Sequence, residues 1–448
     1  MSGDLSRESA LELLRVVRVD DAYANLALPA ILRARRLEGR DAGFATELGY
    51  GTLRWQGWYD AILATCVTRP WDQVDAGMKD LLRLGTHQLL MMRVPTHAAV
   101  DSTCNLARAA GAVGGAASRA GFVNAVLRKV SARTADEWAI ELGVSGPSEK
   151  ELAVRWSHPL WIVRAFSQVL ADRNSELAEL LQADNTAARP SLVARRISTA
   201  ELMEIPGVEA GRWSPVAGTL IDGTPESIPE IRSGQVGVQD EGSQLVTLAL
   251  TRVPVSSHEG RWLDMCAGPG GKAALLESIA FNQDVHLVAV EPHAHRAQLV
   301  RQSLGQDSAA EVLVADAVSQ PWEGQFDRVL VDVPCSGLGA LRRRPESRWR
   351  RKLSDVAELA PLQRSLLNAA IAAVAPGGVI GYVTCSPHFA ETELVISDIR
   401  KQHPELRLLD APSFLPEVPD AARGSFVQLW PHRHGTDAMF LALLQRPL

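Results

Sequence analysis

From the N-terminus to about Lys129, apolar residues recur at three- and four-residue spacing, the period of helices that bury one face. Leu11, Leu14 and Val17 begin one apolar stripe; Leu81, Leu82 and Leu89 belong to another. Strand-like runs are missing, so this stretch predicts helix after helix. Gly111, Gly114 and Gly115 predict a flexible break. Residues 131–150, rich in Ser, Gly, Pro and Glu, suit a linker. A mixed region follows to about 235, with helices expected over 159–169 and 175–181 and a strand-like piece over 191–197. From about 236 the rhythm changes. Candidate strands 261–265, 285–290, 311–315, 327–333 and 378–384 alternate with helical or loop segments. Two more, 425–430 and 438–444, are joined by a loop holding His432, His434 and Gly435, and predict an antiparallel hairpin at a sheet edge.

Short apolar strands alternating with helices indicate a parallel sheet covered on both faces. The expected architecture is therefore multidomain. An all-α domain spans 1–135, a small α+β region spans 150–235, and a doubly wound, Rossmann-like α/β domain spans 236–448. A chain of 448 residues is also too long for one ordinary core. Apolar residues at 46% and charged residues at 22% give the balance of a globular chain. The net charge of −6 argues against coating nucleic acid along the whole length, and leaves room for local basic patches. Five scattered cysteines with no C-x-x-C pair argue against a disulfide framework or a zinc site and suit a reducing cytoplasm. The charged N-terminus has no apolar core of a signal peptide, and Pro376-Gly377-Gly378 breaks the longest uncharged stretch, so no membrane span is expected.

Asp264-Met-Cys266-Ala267-Gly268-Pro269-Gly270-Gly271-Lys272 follows the first Rossmann strand and opens the next helix. Glycines there let the backbone approach a ligand, and a helix start offers free N–H groups. A phosphate-binding P-loop needs Gly at 266 and Ser or Thr at 273, which are Cys and Ala. The dinucleotide spacing fails as well, because its third Gly would fall at 273. A lone glycine turn would more often be only a turn. Here Glu291 ends the second strand, where a carboxylate can accept ribose hydroxyls, and Asp316 follows the third, where one can hold an adenine amine. The three together outline a nucleoside with a small charged appendage.

The fourth strand runs out into Asp332-Val-Pro-Cys335-Ser-Gly and the fifth into Thr384-Cys385-Ser-Pro. In a doubly wound sheet these strands are neighbours, which brings two thiols and a carboxylate to one rim beside the cofactor. An isolated cysteine is more often a small buried hydrophobe. Two at strand ends, each near a proline, suit chemistry on a cytosine ring. Cytosine C5 attacks a methylsulfonium poorly until a thiolate adds to C6. The thiol, with a free pKa of about 8.5, must be held as thiolate. Asp332 is the candidate to share a proton at N3, and the second thiol can help remove the C5 proton. Amino-group methylation would instead place an Asn/Asp-Pro-Pro-aromatic turn where Asp-Val-Pro-Cys stands.

On these motifs, with Gly339–Trp349 and Val238-Gln-Asp240, residues 236–448 resemble the catalytic domain of the Nop/Sun family of RNA cytosine-C5 methyltransferases. Gly49–Arg54, Pro95–Val100 and residues 121–128 make the first 130 residues similar to a NusB-type RNA-binding domain. That fusion is the layout of bacterial Sun/RsmB enzymes, which methylate 16S rRNA. The resemblance implies S-adenosylmethionine as methyl donor without a metal. Cys385 would be the nucleophile, Cys335 would promote its release, and Asp332 would contact the base. DNA cytosine methyltransferases use the Pro-Cys thiol as nucleophile, so the cysteine roles rest partly on the family. Three departures stand out: Glu291 where Asp is usual, Gly268 where Ala is frequent, and Asp437-Ala-Met-Phe440 for Asp-Gly-Phe-Phe.

Seven basic residues between Arg342 and Lys352 surround Trp349, a composition suited to phosphate contacts with a stacking platform. The implied partner is RNA, as 16S rRNA or a pre-assembled small subunit, met by a monomeric enzyme at an unpaired cytidine. His432 and His434 lack further ligands at metal spacing and read as loop residues. Two rival readings remain: the same chemistry on tRNA, and a non-enzymatic RNA-binding factor, which would be marked by a lost thiol, Asp332 or glycine turn.

Overall fold

The computed structural model describes residues 4–109, 115–255 and 260–448. Gly111 and Gly114 of the expected break lie outside them. Two compact units are formed: Met1–Thr186 with Arg343–Arg350, and Ala187–Arg342 with Arg351–Leu448.

The first unit is helical, with no strand among its described residues. Helices Leu5–Val19, Gly39–Arg54, Gln56–Cys66, Ala76–Leu90 and Ala116–Val130 turn their apolar stripes onto one core that includes Leu13, Leu48, Trp58, Ile62, Leu81 and Leu127. The stretch expected as a linker is ordered instead. Thr134 and Ser148 each start a helix with a reciprocal capping box, to Glu137 and Glu151, and the first helix, Ala135–Glu141, buries Trp138. Such a box satisfies two backbone donors that a helix start otherwise leaves open, which lets short polar segments stay helical.

Residues 343–350 belong to this unit because its helix ends need donors. Arg348 is fully buried, and its guanidinium donates to the carbonyls of Arg54, Ser157 and Asp184 and to the Asn185 side chain. Arg350 donates to Val17 and Ala22 carbonyls and pairs with Asp21. Helix C-termini leave carbonyls without partners, and the planar arginine fork meets several at once. The expectation that the whole basic run serves phosphate is thus corrected: Arg348 is buried with both terminal nitrogens on protein oxygens, and Arg350 is largely committed to them.

The second unit carries two sheets. A small antiparallel one runs in the order β2-β3-β1-β4, with β1 Ser191–Ala194, β2 Val208–Ala210, β3 Ala217–Leu220 and β4 Val236–Val238. The large one contains β5 Arg261–Asp264, β6 His286–Val290, β7 Glu311–Leu313, β8 Phe326–Asp332, β9 Val374–Thr384, β10 Arg407–Leu408, β11 Ala422–Arg423, β12 Phe426–Gln428 and β13 Phe440–Gln445. Its order is β11-β12-β13-β9-β8-β5-β6-β7, with β10 also on β13. Strands β7, β6, β5, β8 and β9 are mutually parallel, and β13 runs antiparallel to β9. This is the expected doubly wound α/β domain.

Side-chain alternation builds one core on each face. Leu330 joins the core under helices Glu241–Arg252 and Gly271–Phe281. Val329 and Val331 join the other, under Leu353–Ala373 and Glu393–Gln402. The C-terminal hairpin differs from expectation in that β13 lies inside the sheet and two-residue β11 takes the edge. Its connection holds a short helix, Pro431–His434, closed by Gly435. There His434 Nδ1 accepts from the Trp430 N–H while Nε2 meets the Pro419 carbonyl, a structural role that occupies both ring nitrogens.

Candidate active site

The chain changes winding direction between β5 and β8, and ligands in open α/β sheets sit at the carboxyl ends of strands at such a point. The glycine turn leaves β5 there. The Met265 N–H still bonds to the Leu330 carbonyl of β8, and the Ala267 N–H bonds to Val290 of β6 at 2.9 Å. Cys266 donates its N–H to Asp264 Oδ1, and Gly270 caps the helix that begins at Gly271.

Three observations around this turn fit a bound nucleoside. Asp264 is buried, and its Oδ2 has no hydrogen-bond partner. Burial, with the neighbouring charge of Asp332, pushes its carboxyl up to about 7. Gln239 lies beside Gly271 with neither amide atom hydrogen-bonded, although the residue is buried. Buried polar groups without partners are rare, and their clustering marks a place where a ligand supplies the partner.

Glu291 is 2% exposed; its Oε1 accepts from the His293 N–H, and Oε2 lies 3.5 Å from Arg296. A Cβ at Gly268 would stand 2.2 Å from that Oε2. Two departures from the family pattern are therefore one: the longer acid at 291 occupies the room that the missing methyl at 268 leaves. Asp316 is exposed, and its two oxygens are engaged in its own turn by the Val318 N–H and the Ser319 hydroxyl. Pro269 is exposed on the outside of the glycine turn and Ala267 is buried beneath it.

Asp332 ends β8 in register with Val383 of β9, which sets Cys335 and Cys385 in adjoining turns. Their sulfurs are 3.4 Å apart. Lys272, from the glycine turn, reaches Asp332 Oδ2 at 2.8 Å. Burial opposes the lysine charge, yet Asp332 and Cys385 outweigh it and hold the ammonium pKa above its ordinary value. The thiols are not equivalent. The two sulfurs are within hydrogen-bond distance; with Cys335 as the donor, the bond lowers the Cys385 pKa against its burial, and Lys272 lowers it further. Cys335 is pushed well up by that same bond, by burial and by the Glu391 carboxylate. Lys272 beside Cys385 and Glu391 beside Cys335 favour the negative charge of the pair on Cys385.

Glu391 and Gln363 escaped the sequence reading. Glu391 is fully buried and accepts from the Ser336 N–H at 2.7 Å and from the Ser336 hydroxyl. Gln363 Nε2 joins the Pro334 carbonyl to Glu391. Ser336 also meets the Ser386 hydroxyl at 3.1 Å, while the Gly339 N–H donates to the Cys385 carbonyl and the Gly339 carbonyl accepts from Ala438. Both cysteine turns are thereby tied to each other and to the C-terminal hairpin. The only available signal was an acid six residues beyond Cys385, with nothing to say where it points.

Residues 253–445 match the family model described as 16S rRNA methyltransferase RsmB/F, and residues 4–132 match the NusB family. The ribosomal RNA small subunit methyltransferase B of Pseudomonas syringae is 33% identical over 90% of this chain and 88% of its own. The chain belongs to the RsmB/F methyltransferase family. A Mycobacterium tuberculosis protein, provisionally named a methyltransferase, is 47% identical to this RsmB/F chain over 99% of it and 97% of its own length. The crystal structure of PH0851 covers 100% of the RsmB/F chain and 99% of its own, with a TM-score of 0.79 at 22% identity, a likeness of fold. Family membership makes this an RNA methyltransferase with an N-terminal NusB domain, and implies S-adenosylmethionine as its methyl donor. Among the described residues of this RsmB/F protein no cluster of His, Cys, Asp or Glu could hold a metal ion, and no helix is long and apolar enough to cross a membrane.

Proposed function

We propose that this enzyme methylates C5 of a cytidine in RNA, with 16S rRNA as substrate, through a transient bond between Cys385 and C6 of the base. The observation that carries the proposal is the unsymmetrical thiol pair, 3.4 Å apart, with Lys272 and Asp332 on the same rim.

S-adenosylmethionine, when bound, supplies an electrophilic methyl group. Gly268, Gly270 and Gly271 would let it approach the backbone, with Cys266, Ala267, Pro269 and Lys272 completing the turn, and Glu291 and Asp316 as candidate holders of ribose and adenine. The chain's own residues do the rest. Cys385 thiolate forms a bond to C6 of cytosine, and the C5–C6 π electrons move toward C5. Asp332, protonated or sharing the base's own proton, stabilises N3 as charge reaches it. C5 then takes the methyl group and becomes tetrahedral. Cys335, once it has passed its own proton to water, accepts the proton from C5 directly or through water; the electrons of that C–H bond rebuild C5=C6 and expel Cys385 as thiolate. With the Cys385 charge tied up in the adduct, one of the causes that keep Cys335 protonated is gone, and a Cys335 thiolate beside Glu391 is a strong base for the C5 proton. The NusB segment and the ribosomal RNA methyltransferases among its relatives support RNA, and 16S rRNA within it, as partner.

Nucleoside mass spectrometry of unmodified 16S rRNA after incubation with the protein and S-adenosylmethionine tests this. One new 5-methylcytidine is expected, absent with Cys385→Ala. The same product on tRNA alone would move the substrate. No methylated nucleoside on either RNA would favour a binding factor.

A further inference from the structure

The helical unit, with its own segment 343–350, encloses a cavity of about 390 Å³ that plays no part in the chemistry above. Its volume lies within the roughly 300–1,000 Å³ of small-ligand sites. Its charged wall holds four cations, Arg18, Lys79, Arg83 and Arg350, against three carboxylates.

Two side chains make it more than a crevice. Glu346 lines it and is 3% exposed; Oε1 accepts from the Ala24 N–H at 3.1 Å, but Oε2 has no hydrogen-bond partner. A buried carboxylate oxygen without a donor is costly, so it implies a donor that arrives with a ligand. Trp349, three residues on, lines the same cavity and stays 38% exposed. Its indole is seated on Gly57, where a Cβ would meet the ring at 2.3 Å, which fixes one aromatic edge in place.

An aromatic ring for stacking, a carboxylate acceptor and a cationic margin are what an unstacked nucleotide needs. The carboxylate selects among bases. Guanine offers two adjacent N–H donors, N1 and N2, on one edge. Adenine and cytosine place a ring acceptor beside their amine, where it would face the second carboxylate oxygen, and uracil has one N–H between two carbonyls. Arg18 and Arg83 are already paired with Asp80 and Asp60, which leaves Lys79, hydrogen-bonded to the Asp72 carbonyl and 5.5 Å from the Trp71 ring centroid, as the better phosphate contact.

We propose that this cavity binds an unpaired guanine nucleotide of the substrate RNA, as an anchor separate from the methylation site. The idea rests on the RNA methyltransferase reading, but its test does not use catalysis. Saturation-transfer NMR would measure GMP, AMP, CMP and UMP binding to the full chain, with S-adenosylhomocysteine kept saturating to occupy the cofactor site. GMP should bind at least about fivefold more tightly than the others. Glu346→Gln preserves the acceptor for Ala24 but replaces Oε2 with an N–H donor, and should abolish that preference while the thermal melt stays cooperative. Trp349→Ala should weaken all four nucleotides. Equal binding of the four, or an unchanged guanine preference in Glu346→Gln, overturns the proposal. Should Glu346→Gln fail to fold, Trp349→Ala and Lys79→Gln decide it: unchanged GMP binding in both would be equally fatal.

Discussion

The sulfur of Cys335 lies 3.4 Å from that of Cys385, and Lys272 near Cys385 with Glu391 near Cys335 favours the thiolate on Cys385 with Cys335 as its hydrogen-bond donor. Removing the donor should expose the arrangement. In Cys335→Ala the Cys385 pKa should rise, because a hydrogen bond that favours its thiolate is lost. The pH profile of Cys385 alkylation, followed by peptide mass spectrometry, would move up accordingly. With RNA and S-adenosylmethionine the same variant should accumulate a denaturation-resistant protein–RNA adduct, seen as a shifted gel band. An unshifted profile without adduct would mean that Cys335 has neither role.

The fit between Gly268 and Glu291 predicts a reversal. Gly268→Ala puts a methyl against Glu291 Oε2, and overpacking of about 1–3 kcal/mol should weaken S-adenosylhomocysteine binding roughly tenfold or more by calorimetry. Glu291→Asp in the same chain withdraws the carboxylate and should recover most of the loss. Additive losses in the double variant would show that the two positions do not communicate.

Glu391 holds the Cys335 turn through both the N–H and the hydroxyl of Ser336. Glu391→Ala leaves buried donors without an acceptor and should cost about 2–4 kcal/mol in urea denaturation. Glu391→Gln keeps one oxygen for the backbone N–H and should cost less. A change below about 0.5 kcal/mol in the alanine variant would remove Glu391 from this role.

Asp264 should make stability depend on pH. Its carboxyl is raised from 3.8 to about 7 in the folded chain. Below pH 4 it is protonated folded or unfolded, and it costs nothing. As pH rises toward 7 the unfolded chain ionises first, so stability falls, and above 7 the loss is complete. Asp264→Asn removes the charge and should stabilise the protein at pH 8 by up to about 4 kcal/mol, with little effect near pH 4. A parallel offset at all pH values would point to packing instead.

Much of the second unit was legible because parallel strands covered on both faces read as short continuous apolar runs, as in Val329-Leu330-Val331. The thiol pair was legible for a related reason: once strands β8 and β9 are neighbours, residues just beyond Asp332 and Thr384 must meet. What stayed hidden depends on where long side chains reach. Arg348 looks like any surface cation until four acceptors at separate helix ends surround it. Gly268 and Glu291 look like two unrelated departures because only the fold brings a turn after β5 against the end of β6. Residues 131–150 have a linker's composition, and the two capping boxes that order them occupy only four residues.

The most direct test of the two-thiol chemistry is release of tritium from 16S rRNA labelled at C5 of its cytosines. Release should require S-adenosylmethionine, match the methyl groups incorporated one for one, and vanish in Cys385→Ala. Methyl incorporation without tritium release would contradict it, because the modified atom would then not be C5.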